Sequence, residues 1–467
     1  VYAEPSWFRL GFSEVPGQSA GQGIGIIIID DICPHPTLNH LADRIKHVVV
    51  ANDNAITCSD IVNEGFNPSN LDNGIHGLMT VLTLAHEPFT VDGFCHAGIA
   101  PAGNFVVLSH GAFKDGEGER LKLGIDWILS NLPDLNIRII LSLGWHAQDN
   151  TVLLERTKSN STVQSLAAAV ERGVLVICAN GNSDIGNILP PLDYLAVGGF
   201  DDRGKADRIY HTPYPGEPHG FNGDGHYRPD IRAPRTRVIV PYCEGEPRAG
   251  QLSVYTGTSA ASTLVAGVCM YLLSSFPFIN NYTLRNALVR FGDKLVEDKN
   301  YSPCVNVKKT IEALLQGYIS EQKIESQLVD DTGIAARAVN LSRAIRKKEY
   351  TRGELWEYSN DPNSLIRKIA VHSLGWPVDR IEREIYWDRF DMEPEDGVRT
   401  WYLYGLLQHA EKEELTRWIP LAASPHWSIR WCVGEFLGKF SDLPQFVKTH
   451  EPELVPQYAH SLFESLE

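Results

Sequence analysis

Residues 254–262 read VYTGTSAAS, and the apolar run TLVAGVCMYLL of residues 263–273 follows directly. Ser259 sits among small residues, with Gly257 and Thr258 before it and Ala260 and Ala261 after it. A long apolar run entered through a small-residue turn reads as a buried helix, with Ser259 at its mouth. One reading is a turn that caps a core helix. The other is a nucleophile held at a helix N-terminus, where the positive end of the helix dipole lies. A single hydroxyl does not separate the two, so the partners of a nucleophile have to be sought elsewhere in the chain.

The 467 residues are enough for a large domain and a smaller one, and 43% hydrophobic with 21% charged residues is a globular composition. No apolar run looks long enough to span a bilayer. A formal net charge of -16 argues against a general nucleic-acid binder, which needs a basic face. The first residues, VYAEPSW, show neither an initiator Met nor a signal segment, and point to a processed or trimmed end. Eight cysteines are scattered without a CxxC pair or zinc-like spacing. They read as reduced thiols, which favours a cytoplasmic over a secreted setting.

The first two-thirds of the chain alternates strands with helices. Runs at Gly23–Ile29, His47–Ala51, Asn104–Ser109, Ile137–Leu143, Val174–Ala179, Tyr194–Gly199 and Arg237–Val240 are continuously β-branched or apolar, as strands covered on both faces are. Helical stretches such as ERLKLGIDWILSNL and STVQSLAAAVERG lie between them. The pattern predicts a mostly parallel sheet with helices on both faces and a site at the carboxyl ends of the strands.

Strand signals stop after about Gly317. Arg337, Arg367, Arg399 and Arg430 then recur at intervals of 30, 32 and 31 residues, each after a polar helix-start cluster and before an amphipathic run. Such a period predicts an α-helical repeat array. The division expected is residues 1–318 and residues 319–467.

Three other segments share the strand-end placement of Ser259. IIIIDD ends an apolar strand in Asp30, DNGIHGLM places His76 at a turn-to-helix junction, and VICANGN ends a strand in Asn182. Each alone is a polar turn or a cap. Together they give the order Asp, His, Asn, Ser at the strand ends and helix starts of one sheet, where a single site gathers them. Asp31 follows Asp30, but adjacent strand residues face opposite ways, and the apolar run favours Asp30.

These segments resemble the subtilisin-like serine proteases, or subtilases. HGLMTV resembles the family's His-Gly-Thr-His-Val-Ala helix, AGIAPAGNFVVL its Gly-Val-Ala-Pro segment, and IILSLGW its Ser-Leu-Gly substrate strand. ICANGN resembles the oxyanion segment, with Asn180 where a small residue is usual. RPDIRAP is similar to Pro-Asp-Ile-x-Ala-Pro, with Arg235 where Gly usually follows, and GTSAASTLVAG carries Thr263 in place of the family's Pro. The resemblance spans roughly Gly21 to Gly317; the tail lies outside it and looks like HEAT repeats.

The resemblance implies a three-layer α/β/α subtilisin-like fold and a serine endopeptidase. Ser259 would be the nucleophile, His76 the base and then the acid, and Asp30 the group that holds the imidazole tautomer. Asn182 would donate to the oxyanion beside the Ser259 N–H. Ser142, Leu143 and Gly144 would receive an extended peptide as an added strand. The tail would recruit substrate or a regulatory partner. A different reading is a catalytically silent scaffold whose working surface is the tail. The chemistry calls for no cofactor; the resemblance allows structural calcium, but HEPFTVDGF does not resemble the family's calcium loop and no residue is assigned to it. The partners expected are a protein or peptide substrate and a protein on the repeats, with neither nucleic acid nor membrane.

Overall fold

The structure is a computed structural model that describes residues 3–65, 71–109, 117–143, 161–182, 193–214, 219–221, 226–241, 252–295, 302–320, 333–424 and 426–440. In chain order it opens with helix α1 (Ser6–Arg9), strands β1 (Gly25–Ile29), β2 (Ile45–Val50) and β3 (Ile56–Asp60), and helix α2 (Leu71–Ala85). A ribbon of β4 (Phe89–Val91) and β5 (Phe94–His96) follows, then β6 (Asn104–Ser109), α3 (Glu117–Asn131), β7 (Ile137–Ser142), α4 (Ser161–Glu171) and β8 (Leu175–Ala179). Next come β9 (Leu195–Asp201), β10 (Thr212–Pro213), β11 (Gly220–Phe221), β12 (Tyr227–Arg228), β13 (Ile231–Pro234), β14 (Val238–Val240) and β15 (Ser253–Tyr255). Helices α5 (Thr258–Ser275), α6 (Asn281–Arg290) and α7 (Val307–Leu315) end this part.

The main sheet has the order β10-β9-β8-β7-β1-β6-β2-β3, with β13 also paired to β9. It is mixed and mostly parallel: β3 and β10 run antiparallel to β2 and β9. The pleat sends alternate side chains to opposite layers. Ile26 and Ile28 of β1 join a core with Leu82 of α2 and Leu264 of α5, whereas Ile27 joins Leu121 of α3 and Leu166 of α4. The layers are therefore helix, sheet, helix.

Most expected strands fall within a residue or two of their predicted bounds, but three readings need correction. Val238–Val240 is not in the main sheet; it pairs antiparallel with Ser253–Tyr255 in a separate ribbon. The antiparallel strand Ile56–Asp60 was not anticipated, because its burial is partial and its apolar pattern weak. Helix α5 is long and apolar enough, by length and composition, to cross a membrane, yet 83% of it is buried inside the fold. It is the central core helix of this layer. Each fully buried Leu, Val or Met in it contributes about 1.5–3 kcal/mol relative to exposure.

The tail is helical: α8 (Ile334–Arg346), α9 (Arg352–Tyr358), α10 (Ser364–Leu374), α11 (Arg380–Met392), α12 (Asp396–Gln408), α13 (Leu415–Trp418) and α14 (Trp427–Gly438). Its buried apolar clusters draw on residues 338–437, separate from those of the sheet. Among the eight cysteines, Cys243 lies outside the described residues and no disulfide joins the other seven to one another.

At the end of α2, His86 is 3% exposed, its Nδ1 lies 2.9 Å from the Glu87 carbonyl, and Phe89 packs on its ring. Burial pulls the imidazole down to about 4, with His96 and His40 pushing the same way and the Glu87 carbonyl opposing. The unfolded chain takes up this proton near pH 6.5, and the folded one only near 4. Stability is thus fully present above about pH 6.5 and falls as pH drops toward 4, by roughly 3 kcal/mol in all. Burial lowers His35 and His96 as well, and they act in the same direction. Urea unfolding at pH 7 and pH 5 should show a loss of about 2 kcal/mol or more in the native protein, with His86→Gln removing at least half of it.

Candidate active site

Strand β1 delivers Asp30 to the site. Its neighbours on either side are β6 and β7, so Asp30 emerges in the middle of the sheet at the carboxyl ends of the strands. The Asp30 N–H donates to the Leu108 carbonyl at 3.3 Å, and its own carbonyl accepts from Ser109 Oγ at 2.9 Å. Its Oδ1 accepts the Asp31 N–H at 2.9 Å, which leaves Oδ2 for His76 Nδ1 at 2.6 Å. Asp31 is exposed, so the structure brings Asp30 rather than Asp31 to the histidine.

His76 is not at a helix start, as the sequence suggested. Helix α2 begins at Leu71, so His76 stands in the second turn. The misreading has a cause: LDNG reads as a turn, but Gly74 is inside the helix because the chain passes there without room for a side chain. A Cβ on Gly74 would lie 2.2 Å from Cys33 N, and one on Gly77 2.3 Å from the Asp31 carbonyl. Gly in a helix interior costs about 1 kcal/mol relative to Ala. Here it lets α2 lie directly on residues 30–33, which sets the Asp30–His76 distance.

With Nδ1 committed to Asp30, the basic nitrogen of neutral His76 is Nε2. The Tyr255 hydroxyl lies 3.3 Å from it and 2.9 Å from Thr80 Oγ1, with the two rings edge to face at 5.6 Å. Burial drives the Tyr255 phenol well above its ordinary range; interactions with the Thr80, Thr263 and Ser259 hydroxyls pull the other way. Tyr255 is therefore a protonated phenol whose hydroxyl lies between His76 Nε2 and Thr80 Oγ1. Sequence reasoning missed it, although it stands four residues before Ser259 in the same stretch.

Ser259 is the second residue of α5 and is 6% exposed. Gly257 caps that helix at φ 96, a conformation that favours glycine, and its N–H donates to the Arg235 carbonyl at 2.8 Å. Thr263, in place of the family's Pro, gives its hydroxyl to the Ser259 carbonyl at 2.8 Å. The Ser259 N–H thus lies in the first turn, where backbone donors lack intrahelical acceptors.

Asn182 follows β8 and turns its amide toward α5. Its Oδ1 accepts from Thr258 N at 2.8 Å, Thr258 Oγ1 at 3.1 Å and Arg235 Nη2 at 3.1 Å. Three donors on one oxygen fix the amide orientation and leave Nδ2 as the donating end. Asp30 and His76 are thus joined directly, Asn182 is joined to the start of α5 beside Ser259, and Tyr255 from the same segment reaches His76, all at the carboxyl ends of the strands.

The expected substrate strand is placed in part. Ser142 is 1% exposed and aligned with Ile29 on one side and Cys178 on the other, within an interior strand. Ser142 therefore has no free edge for an added strand, and Leu143 is where the chain leaves the sheet. Gly144 lies outside the described residues, as do Trp145 and His146. Among the described residues no cluster of three or more His, Cys, Asp and Glu side chains is arranged to hold a metal ion.

The Gly77 contact gives a direct test. Gly77→Ala should destabilise the protein by about 1–3 kcal/mol through overpacking. It should also weaken or abolish the hydrogen-bonded Nδ1–H proton resonance of His76, since the added methyl pushes α2 away from Asp30. Unchanged stability and an unchanged resonance would show that the helix does not need this approach.

A family model described as the Subtilase family matches residues 21–303. M-protease of Shouchella clausii is 29% identical over 225 residues, covering 47% of this chain and 50% of that protein. Subtilisin Savinase of Lederbergia lenta is 29% identical over 225 residues, covering 71% of its own length. This chain therefore spans about half the length of M-protease. Among solved structures, a mutant of the protease domain of PatA superposes with a TM-score of 0.45 at 19% identity, covering 65% of this chain and 100% of that one. Fervidolysin from Fervidobacterium pennivorans gives 0.43 at 16% identity, covering 65% and 44%. The family model matches well over half of the chain, along the same residues that build the sheet and the gathered site, and the chain belongs to the subtilase family.

Proposed function

We propose that the chain is a serine endopeptidase in which Asp30, His76 and Ser259 act as the catalytic triad and Asn182 as the oxyanion donor. The observation that carries the reading is the 2.6 Å contact between Asp30 Oδ2 and His76 Nδ1, at the carboxyl ends of the strands where α5 starts with Ser259. In this reaction His76 Nε2 takes the proton of Ser259 Oγ as the oxygen attacks the scissile carbonyl. The nitrogen that now faces Tyr255 has to meet Ser259 Oγ in the reacting complex, where nucleophile–base contacts tighten. Negative charge then collects on the carbonyl oxygen, between Asn182 Nδ2 and the Ser259 N–H. The proton passes from Nε2 to the leaving amine, and water repeats the cycle on the acyl-enzyme. The positions from Leu143 onward take the substrate backbone as an added strand.

A catalytically silent scaffold is the second reading, and the contact of Tyr255 with Nε2 is what favours it. A fluorophosphonate probe separates the two, because it reacts with an activated serine and not with a fold. We expect the native protein to be labelled at Ser259, and Ser259→Ala to keep its melting temperature while losing both labelling and peptide hydrolysis. Labelling that survives Ser259→Ala would refute the assignment.

The tail, residues 319–467, we read as a HEAT-like array that recruits substrate or a regulatory partner and does no chemistry. Support comes from Arg337, Arg367, Arg399 and Arg430, each the fourth residue of its helix in α8, α10, α12 and α14. Those helices pack in succession, α8 on α10, α10 on α12 and α12 on α14. Stacked helix pairs present an extended surface suited to protein segments. Residues 1–318 alone should cut a short unstructured peptide at nearly the full rate and process a native protein substrate poorly. Loss of short-peptide cleavage in a folded truncation would show instead that the tail holds the active site.

A further inference from the structure

Arg235 occupies the position after the RPDIRAP proline, and its surroundings are unusually complete for a residue without a part in the chemistry. It follows β13, and its N–H donates to the Phe200 carbonyl of β9 at 3.1 Å. Its own carbonyl accepts the N–H of Gly257, two residues before Ser259, at 2.8 Å. The side chain is 5% exposed. It lies flat over Gly199, where a Cβ would come within 2.5 Å of it, and its guanidinium sits 3.7 Å from the centre of the Tyr214 ring. From there Nη2 reaches Asn182 Oδ1 at 3.1 Å.

A buried guanidinium is costly to desolvate, and a neutral side chain of the same length would fill this space more cheaply. What the charge adds is a strong donor on the oxygen of one particular amide. Donation to Oδ1 withdraws electron density from the amide and makes its Nδ2–H groups better donors, since hydrogen bonds in a chain polarise one another.

We propose that Arg235 is a positioning residue for the oxyanion hole: its guanidinium holds the Asn182 amide in its donating orientation and strengthens it, while its carbonyl holds the backbone that leads into Ser259. The proposal rests on the peptidase reading above. Arg235 acts through Asn182 and touches no reacting atom.

The experiment uses the full chain and a fluorophosphonate probe, whose phosphoryl oxygen gains negative charge as Ser259 adds to phosphorus. Saturation kinetics separate the limiting rate of labelling from the affinity for the probe. Arg235→Met keeps much of the apolar stem and removes the charge. It should lower the limiting rate by about 10-fold, the scale of one charge-assisted hydrogen bond, with the affinity changed less than about 2-fold. Asn182→Ala should lower the rate by about 10²–10³-fold, the size found for one such donor in subtilisin, a member of the same family. In the Asn182→Ala background, Arg235→Met should cost nothing further, because the group it acts through is gone. Arg235→Lys, which keeps the charge without the planar fork, should recover part of the rate and serves if Arg235→Met melts below the assay temperature.

A native protein that is not labelled at all would bring down the peptidase reading and this proposal with it. If the native protein is labelled, three results overturn the proposal alone. They are a full limiting rate in Arg235→Met, a loss confined to probe affinity, or an undiminished loss in the Asn182→Ala background.

Discussion

Strand β1 has hydrogen-bonded neighbours along both edges and helices against both faces, so the residue that follows it is delivered to one fixed point. That residue is Asp30. Its carboxylate is further restricted because one oxygen accepts the Asp31 N–H and the other the His76 ring. The histidine arrives on a helix that comes close only through Gly74 and Gly77. Everything else in the site is arranged around this pair: β7 and β8 end beside it, and α5 starts opposite it. The interior around it is close-packed, so drawing α2 away from Asp30 would also separate the packed side chains between α2 and the sheet.

The rear of the site is held by buried charges. Asp230, in the RPD stretch, accepts the Ala196 N–H at 2.8 Å, Arg285 Nη2 at 2.8 Å and Arg228. Burial lowers the Arg285 guanidinium, Arg228 acts the same way, and Asp230 opposes them. This ties β9, the turn before β13 and α6 together beneath the segment that leads to Arg235. A second pair, Arg9 with Asp202 at 2.6 Å, is fully removed from solvent and adds bonds from Arg9 to the Thr236 and Arg237 carbonyls. Removing one partner of such a pair leaves an uncompensated buried charge and costs about 3–5 kcal/mol. The loops on either side of Arg235 are thus anchored by interactions that a local rearrangement would break outright.

The sheet was legible because strands buried on both faces write themselves as unbroken β-branched runs; IIII of residues 26–29 has no other comfortable home. Asn182 and Ser259 were legible because small residues and turns around a polar group are what a strand end or helix start requires. The rest failed for identifiable reasons. Asp-Asn-Gly before His76 has turn propensity, whereas in the structure Gly74 is helical and its carbonyl accepts the Cys33 N–H, a tertiary contact the sequence does not announce. The partner of Val238–Val240 depends on a chain segment fifteen residues away, about which a three-residue apolar run says nothing. Tyr255 carries no periodic signal, since its importance lies in where its hydroxyl ends up. Arg235 was visible only as a departure from a pattern, and no rule of spacing connects it to Asn182, 53 residues earlier.

In the helical tail the recurring arginines have a local partner. Arg367 donates to the carbonyls of Asp361 and Pro362, and Arg430 to that of Ser424, so these arginines bind the chain entering their own helices. A second series was not apparent from the arginine count. Arg352 and Trp356 of α9 both bind Glu382, at 2.7 and 2.9 Å, and Arg383 and Trp387 of α11 both bind Glu414, at 2.6 and 3.2 Å. Burial works to raise the Glu382 carboxyl, but Arg352, the Val378 N–H and the Trp356 N–H together hold it below the usual carboxylate range. Glu414 is held down in the same way by Arg383, the Glu411 N–H and Trp387. Such part-buried pairs contribute little net stability beyond what an apolar contact of the same volume would. What they add is register. Helices coated with leucine and tryptophan can slide past one another at small cost, whereas a carboxylate that must meet a guanidinium and an indole N–H together closes in one alignment only. Two such latches of the same make-up, one from α9 to Glu382 of α11 and one from α11 to Glu414 just before α13, fix how these segments align.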